Sequence, residues 1–398
     1  MIIPETLRST NASLSRSWIR NVPLLIAYII FPAVSIIGNL FFTNYLRQWI
    51  DVLWLVMLVL SFIVLANRQT LKSSMGVFAA TSIFLAYMFG SAFYVTFEIS
   101  SLITFLVGFK CAFLLFVSIG IAAAFGIPDR SAFLSYGVLL AILLIFGCVV
   151  EMIMAGQVIR PDPTGEINYE AALLILSLIV ADINKIKRCQ WLAILIAILF
   201  SMSRTALIVL VVISFIKFRI GLTKQFILLI AATTFFFASY LMRGLEIDSY
   251  EQIDRFWMWL TWFEAMDSAS LTQFLFGFGP GVALPVDVPK QLTWLWENQQ
   301  EITNTHGIFS YNFHAFWARF SIDYGVLAAI LLLSFCIYPF LRLRSNDQIA
   351  FASFVLIEGL TMGLFYLSSV AVPAFLAGML IVSSTKMGSY LDIAENNA

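Results

Sequence analysis

The sequence predicts an all-α polytopic membrane protein with about 12 transmembrane helices and one long outer loop between spans 9 and 10. Composition carries the first part of this prediction. Of the 398 residues, 61% are hydrophobic and only 12% are charged, about half the charged share of a soluble domain. Mean hydropathy is +0.93 over the whole chain. The apolar runs are also too long for a membrane β-barrel, whose strands alternate over about ten residues.

Twelve apolar stretches approach the roughly 20 residues that a helix needs to cross the hydrocarbon core of a bilayer. The seventh and eighth are short, and they could be tilted, broken, or one span counted as two. The first is predicted to be a span rather than a cleaved signal, because a 22-residue polar stretch precedes it. The spans are placed at 23–42, 50–66, 75–97, 100–125, 131–155, 169–184, 188–202, 205–218, 224–242, 314–340, 348–369 and 372–386.

The distribution of lysine and arginine predicts that both termini are cytoplasmic, because basic residues are retained on that side during insertion. With the N-terminus inside, 15 of the 23 basic residues fall on the inner side and 6 on the outer side, while Lys110 and Arg319 lie within spans. The chain then divides into a membrane domain at 1–242, an outer loop at 243–313 and a second membrane part at 314–398. The 23 acidic residues balance the 23 basic ones, so nucleic-acid binding has no electrostatic support.

The outer loop is net negative and rich in tryptophan. It holds nine acidic residues against three basic ones, and five of the ten tryptophans of the chain. Indole rings stack on the apolar face of a sugar, and carboxylates accept hydrogen bonds from its hydroxyls, so these residues suit a sugar site. An aromatic belt at the membrane interface is the alternative interpretation. The candidate sugar-binding residues are Trp257, Trp259 and Trp262.

Three short sequence blocks contain residue types that could take part in catalysis or substrate binding. The first is a Ser-Arg element between two short spans, and the second is an arginine followed by a tryptophan-rich segment and a Gly-x-Gly-x-Gly turn. The third is a histidine that opens a span, with an acid nine residues later and a glycine eleven residues later. The blocks comprise Ser201 to Arg204, Arg255 to Gly281 with Gly277 and Gly279, and His314 with Asp323 and Gly325.

In this order the three blocks resemble the O-antigen ligase and polymerase superfamily, over roughly residues 190–340. Members of that family are integral membrane glycosyltransferases that use glycans linked to a lipid diphosphate. The resemblance implies a Wzy-type polysaccharide polymerase of the bacterial inner membrane, active on the periplasmic side. Its substrate would be an undecaprenyl-diphosphate-linked repeat unit, and a flippase and a chain-length regulator would be its protein partners.

Two alternatives to the polymerase remain open. A ligase of the same superfamily would deliver the finished glycan to lipid A core. A polytopic transporter or flippase would account for ionisable residues inside spans. However, it gives no reason for the long outer loop, and the sequence contains no second copy of any block.

The resemblance assigns roles to three residues. His314 would be the general base, since histidine titrates near neutral pH. Arg204 and Arg255 would bind the leaving diphosphate, which suits the bidentate geometry of guanidinium groups. No Asp-x-Asp pair or acidic cluster indicates a metal site, and no cofactor is predicted. For Arg204 the alternative is a side chain that simply extends to the outer interface.

The chain differs from the family pattern at two positions. Ala315 follows the histidine where the family usually has asparagine or another small polar residue, and Ala328 stands where a second glycine is usual. The first difference leaves His306 as an alternative base. The glycines of the turn, including Gly277, are expected to supply turn dihedral angles rather than to bind phosphate.

Other ionisable residues lie within the predicted spans. Arg319 and Asp323 are four residues apart on one helix, so we expect an internal ion pair. Nine residues separate Asp323 from His314, which puts the two on opposite helix faces, so Asp323 is not expected to orient the histidine. Lys110 is expected to pair with one of two buried acids, Glu151 or Glu358, and the sequence leaves open which.

Overall fold

A computed structural model describes residues 18–41, 49–67, 107–156, 161–164, 166–218, 222–241, 254–293, 307–341 and 345–395. The fold is mostly helical, and the first helix, α1 at 18–41, contains a π-helical turn at Ile26–Ile30. The other helices are α2 Trp49–Asn67, α3 Lys110–Phe125, α4 Arg130–Ala155, α5 Ile167–Val180, α6 Arg188–Ser201, α7 Arg204–Ile213, α8 Leu222–Leu241, α9 Asp254–Asp267, α10 Leu271–Phe276, α11 Phe316–Leu341, α12 Asn346–Thr361 and α13 Ser368–Glu395.

Most of these helices overlap the apolar spans that the sequence predicts, whereas α9 and α10 lie in the predicted outer loop. Within the described ranges, three are long and apolar enough to cross a membrane, namely Trp18–Asn39, Arg130–Ala155 and Phe316–Leu341. Other apolar stretches are shorter, including α5, α6 and the part of α13 at Ser368–Ser383. The predicted span at 75–97 and the first part of the span at 100–125 lie outside the described residues.

Helix α5 lies at the centre of the main core, and its residues from Glu170 to Val180 are all buried. Tyr28 of α1 reaches it and donates a hydrogen bond to the Leu173 carbonyl at 3.1 Å. Helix α4 crosses α5 closely at Gly137, where an added Cβ would overlap Ser177. Small residues at such crossings let the backbones of membrane helices approach each other.

Ion pairs join several segments at one end of the helix bundle. Asp347 at the start of α12 pairs with Arg130 and, at 3.0 Å, with Lys217. Lys217 also donates to the Ala181 carbonyl at 2.6 Å, and Arg20 pairs with Asp129. These contacts bring together segments that the sequence analysis assigns to the cytoplasmic side.

A second group of polar contacts joins segments assigned to the outer side. Lys110 pairs with Asp51 at 2.9 Å, and Ser368 donates to the same carboxylate. The prediction that Lys110 pairs with Glu151 or Glu358 is therefore wrong. Asp51 stands in the first turn of α2, and only the packing of α2 on α3 brings it to Lys110.

The described part of the predicted outer loop, residues 254–293 and 307–313 (called the outer segment after that prediction), packs on α11 through a second, smaller core. Helices α9 and α10 lead to a two-stranded antiparallel sheet of β1 Ala283–Leu284 and β2 Ile308–Phe309. Buried side chains that form this core include Met258, Phe278 and Phe313. The outer segment is therefore held against the entrance of α11, where His314 lies.

Helix α11 is interrupted at Gly325, which has a φ of 84° and a ψ of 165°. The span predicted at 314–340 is therefore kinked at this glycine, and Phe316–Leu341 is still long and apolar enough to cross a membrane. The Gly-x-Gly-x-Gly turn docks on the interruption: the Phe278 N–H donates to the Ile322 carbonyl at 2.8 Å. Irregular backbone in a membrane helix occurs where other protein groups satisfy it, and this turn supplies such a group.

Candidate functional site

Three sequence blocks meet at the turn that follows α12, at Thr361 to Gly363. The Arg255 Nε donates to the Thr361 carbonyl at 2.9 Å. The Thr205 and Thr361 hydroxyls lie 2.9 Å apart. The Phe316 N–H donates to the Met362 carbonyl at 3.0 Å, which attaches the start of α11 to the same turn. The predicted residues Arg204, Arg255 and His314 are therefore each on a segment bound to this turn.

Arg204 is the first residue of α7 and stands directly after a break between α6 and α7. Met202 adopts a left-handed conformation with a φ of 48°, and Ser203 caps the new helix by accepting from the Ala206 N–H at 3.5 Å. The positive end of the α7 dipole thus lies beside a guanidinium group. This combination favours an anion.

Arg255 lies in the first turn of α9, where its Nε is fixed by the contact with Thr361. Its side chain is half-buried, and its positive charge acts on two ionisable neighbours, His314 and Glu358. A partly desolvated guanidinium interacts with an anion more strongly than a fully hydrated one. Arg255 is therefore suited to hold a phosphate group at this point.

His314 precedes α11 and lies between the buried residues Phe313 and Ala315. Burial, together with the smaller effects of the positive charges of Arg255 and Arg319, lowers the pKa of His314 to about 4. The imidazole is consequently neutral at pH 7 and able to accept a proton. A bound anion beside these arginines would offset their charge and raise the basicity of the ring.

The three tryptophans of α9 pack partly buried against the second core. The Trp259 indole N–H donates to the Leu360 carbonyl at 3.3 Å, and the Trp262 indole N–H donates to the Ser321 hydroxyl at 2.8 Å. The rings of Trp259 and Trp262 meet edge to face, with centroids 5.5 Å apart. The indole N–H groups of Trp259 and Trp262 are therefore bonded within the protein, which leaves their ring faces to meet a sugar. Sugar binding by these residues stays a prediction.

The glycine-rich turn has a structural role. Gly277, Gly279 and Gly281 have φ values of 90°, 93° and 82°, which residues with a Cβ rarely adopt. This agrees with the expectation that the glycines supply turn dihedral angles. A Cβ on Gly108 would lie 2.6 Å from the Pro280 side chain, so the turn also packs closely on the segment before α3.

A buried polar cluster includes two residues of α11, the helix that follows His314. The predicted ion pair between Arg319 and Asp323 is present, with 3.8 Å between Nε and Oδ2. Tyr366 donates to the same carboxylate oxygen at 2.7 Å, and the Arg319 guanidinium lies 3.7 Å from the Tyr366 ring centroid. Arg319 also donates to the Val107 carbonyl at 2.6 Å. Sequence reasoning missed Tyr366, because nothing local distinguishes it from an interfacial tyrosine.

Glu358 is the second residue of the site that sequence reasoning missed. It is 2% exposed, and it lies one helical turn before Thr361 on the same face of α12. A carboxyl group in an apolar span is a usable signal, but the sequence indicates Glu358 only as one of two possible partners of Lys110, so its place near the site is not predicted. Glu151, the other acid considered, instead accepts from the Asp162 N–H at 2.8 Å.

Comparison with models of protein families gives no match, and comparison with curated protein sequences gives none either. Among the described residues, no group of three or more His, Cys, Asp or Glu side chains could hold a metal ion. His306, the alternative base, and two of the loop tryptophans, Trp294 and Trp296, lie outside the described residues.

Proposed function

We propose that this protein is a glycosyltransferase of the bacterial inner membrane that polymerises undecaprenyl-diphosphate-linked oligosaccharide repeat units on the periplasmic side. The observation that carries the proposal is the attachment of three segments, those of Arg204, Arg255 and His314, to one turn. These segments are separated by about 50 residues or more in the sequence. These segments carry two cations and one neutral imidazole, the groups that transfer from a lipid diphosphate requires.

In the proposed reaction, a hydroxyl group of the acceptor sugar attacks the anomeric carbon of the donor sugar. The bond between that carbon and the diphosphate oxygen breaks, and undecaprenyl diphosphate leaves with the electron pair. Arg204, Arg255 and the N-terminus of α7 stabilise the negative charge that develops on the diphosphate. His314 takes the proton from the acceptor hydroxyl, and the tryptophans of α9 orient the sugar chain.

The proposal includes twelve membrane spans with both termini in the cytoplasm. Two groups of contacts support an arrangement in which successive connections between spans lie on alternate sides of the membrane. Asp347, Lys217, Arg130 and Ala181 lie together at one end of the bundle, and the turn at Thr361 lies with the start of α7 and the start of α11 at another point. The first group lies at or near chain segments predicted to be cytoplasmic. The second combines the starts of α7 and α11, predicted to lie outside, with Thr361 in the outer half of the span predicted at 348–369.

A ligase would use the same donor site and differ in its acceptor, lipid A core. The net negative outer loop, with nine acidic residues against three basic ones, favours a neutral or weakly charged sugar acceptor over phosphorylated lipid A core. The polymerase is therefore the function proposed here.

Deletion of the gene distinguishes the two activities. For a polymerase, deletion leaves lipid A core that carries at most one repeat unit, or removes a capsule or exopolysaccharide, and the wild-type gene restores the polymer. Long polymer still attached to undecaprenyl diphosphate, together with bare lipid A core, would identify a ligase. An unchanged set of surface glycans would contradict both.

A further inference from the structure

Two helices of the outer segment expose large apolar side chains. On α9, Phe256, Leu260 and Phe263 are exposed, and their spacing of four and three residues puts them on one face of the helix. Phe263 is 61% exposed. On α10, Leu271 is 75% exposed and Phe276 is 63% exposed. Exposed apolar side chains that cluster in this way indicate contact with another protein or with a membrane.

The exposed apolar face of α9 differs from the face that carries its tryptophans. Trp257, Trp259 and Trp262 pack partly buried against the second core. The exposed face is therefore what remains after the outer segment has packed on α11. This face ends near the C-terminus of α9, where Glu264 and Asp267 are exposed. Polar surface thus resumes at that end of the helix.

Helix α9 is attached to the end of a predicted membrane span, beside a side chain that faces outward. The Trp259 indole N–H donates to the Leu360 carbonyl at 3.3 Å, and Arg255 donates to the next carbonyl, that of Thr361. The Leu360 side chain is itself exposed on α12. The apolar face of α9 therefore lies close to the exposed apolar surface of that span.

Helix α10 is attached in a similar way to the kink of α11. A Cβ on Gly325 would overlap the Leu275 carbonyl group, so the two backbones are in direct contact. Beyond the kink, α11 exposes Leu327, Ile330 and Leu331. This helix is long and apolar enough to cross a membrane. The exposed side chains of α10 thus adjoin a surface that lipid would cover in a membrane-spanning helix.

We propose that α9 and α10 lie in the surface of the membrane, at the side where α12 ends, with their exposed apolar side chains among the lipid acyl chains. Helices with one strongly apolar face bind membranes in this way. Here the opposite face is held by the second core, and lipid covers the apolar face. The side chains in contact with lipid are Phe256, Leu260, Phe263, Leu271 and Phe276.

This membrane contact fixes the depth of Arg255. The arginine directly precedes Phe256 in the first turn of α9. With Phe256 among the acyl chains, the guanidinium group lies near the level of the lipid headgroups. The diphosphate of a membrane-bound lipid lies at the same level. This consequence for Arg255 rests on the proposed function, whereas the membrane contact itself does not.

The test measures the surroundings of single cysteines in the full-length protein, reconstituted in vesicles of phosphatidylethanolamine and phosphatidylglycerol. Phe263→Cys, Leu271→Cys and Phe276→Cys are made without the four native cysteines, and each carries a nitroxide label. Electron paramagnetic resonance compares collisions with oxygen, which concentrates in the bilayer, and with a nickel chelate, which stays in water. Leu331→Cys on α11 is the lipid reference, and Asp287→Cys, at an exposed polar position, is the water reference.

We expect the three labels on α9 and α10 to collide more with oxygen than with the chelate, as Leu331→Cys does, and Asp287→Cys to show the reverse. Values that match Asp287→Cys would overturn the proposal. Low collision with both reagents would also overturn it, because protein, such as a second copy of the chain, would then cover the face.

Size-exclusion chromatography establishes which labelled variants are folded, and three positions keep the test decisive if one variant is not. The result does not depend on transfer activity. A wild-type protein that carries out no glycosyl transfer would overturn the consequence for Arg255 and leave the membrane contact to be decided by the labels alone.

Discussion

Gly277 and Gly325 face each other across the contact between the outer segment and α11, and neither position has space for a side chain. A Cβ on Gly277 would lie 2.6 Å from the Asp323 carbonyl oxygen. The Phe278 N–H donates to the Ile322 carbonyl beside them. This backbone-to-backbone contact seats the α9–α10 unit, and hence Arg255, against the helix that follows His314.

Alanine at either glycine should destabilise the protein, since it adds steric overlap to a φ near +90°. We expect Gly277→Ala and Gly325→Ala each to cost about 3 kcal/mol or more. Gly156→Ala is the control: its φ is 64°, but nothing lies within 4 Å of an added Cβ, so strain alone should cost about 1–2 kcal/mol. Thermal unfolding in detergent measures the difference. Equal losses at Gly156 and Gly325 would show that the close contact is not formed.

The two arginines should be sensitive to replacement by lysine, although lysine keeps the charge. Arg204→Lys and Arg255→Lys lose the planar, bidentate geometry that matches a phosphate group. We expect each to reduce transfer by about 10²–10³-fold, the usual effect of removing one preorganised donor. Arg188→Lys, at an exposed position on α6, should keep wild-type activity.

Measurement of transfer by the wild-type protein also tests the prediction that no metal ion is needed. Activity should survive EDTA, because the arginines neutralise the diphosphate. Loss of activity with EDTA and its recovery with magnesium would contradict the arginine mechanism.

Replacement of the histidine should cut transfer without unfolding the protein. We expect His314→Ala to reduce the rate by roughly 10²–10⁴-fold, the usual contribution of general acid–base catalysis, whereas His306→Ala should have a small effect. Circular dichroism checks that both variants are folded. A larger loss in His306→Ala than in His314→Ala would identify His306 as the base.

The pH dependence of the reaction tests the low pKa of His314, which is about 4. A base must be unprotonated to act, so kcat/KM should stay high above pH 5–6 and fall only as the pH drops toward 4. Bound pyrophosphate should raise the pKa, because negative charge favours the imidazolium. NMR titration of the His314 ring protons, with and without pyrophosphate, measures the shift. A pKa that falls on pyrophosphate binding would show that the anion binds elsewhere.

Cysteine labelling tests the orientation of the outer segment. In a background without the four native cysteines, Asp287→Cys should react with a membrane-impermeant reagent from the periplasm, since this residue is exposed in the loop at 243–313. Asn184→Cys, exposed between α5 and α6, should react only after lysis. The reverse pattern would overturn the predicted topology and the periplasmic assignment of the site.

The sequence predicts the positions of the helices well, because long apolar runs report helices without reference to the rest of the chain. The break before Arg204 is also foreseeable from the polar Ser-Met-Ser element between two short runs. The interruption of α11 is not foreseeable in the same way. It depends on Gly325 meeting Gly277, and no local pattern reports a contact between residues 48 positions apart.

The candidate site shows the same difference between local patterns and distant contacts. Its residue types are visible in the sequence, but their attachment to the turn at Thr361 is not, since that turn carries no motif. The wrong partner for Lys110 has the same origin: Asp51 and Lys110 are 59 residues apart, and only the packing of α2 on α3 joins them.

The most direct test of the central claim is a transfer assay with purified protein and a lipid-linked repeat unit, with and without lipid A core. The account predicts that wild-type protein converts the repeat unit to longer undecaprenyl-diphosphate-linked chains without lipid A core. The His314→Ala and Arg255→Lys variants, although folded, should form almost none. Absence of chain growth by the wild type, or equal chain growth by these variants, would contradict the claim that the turn at Thr361 assembles a glycosyl-transfer site.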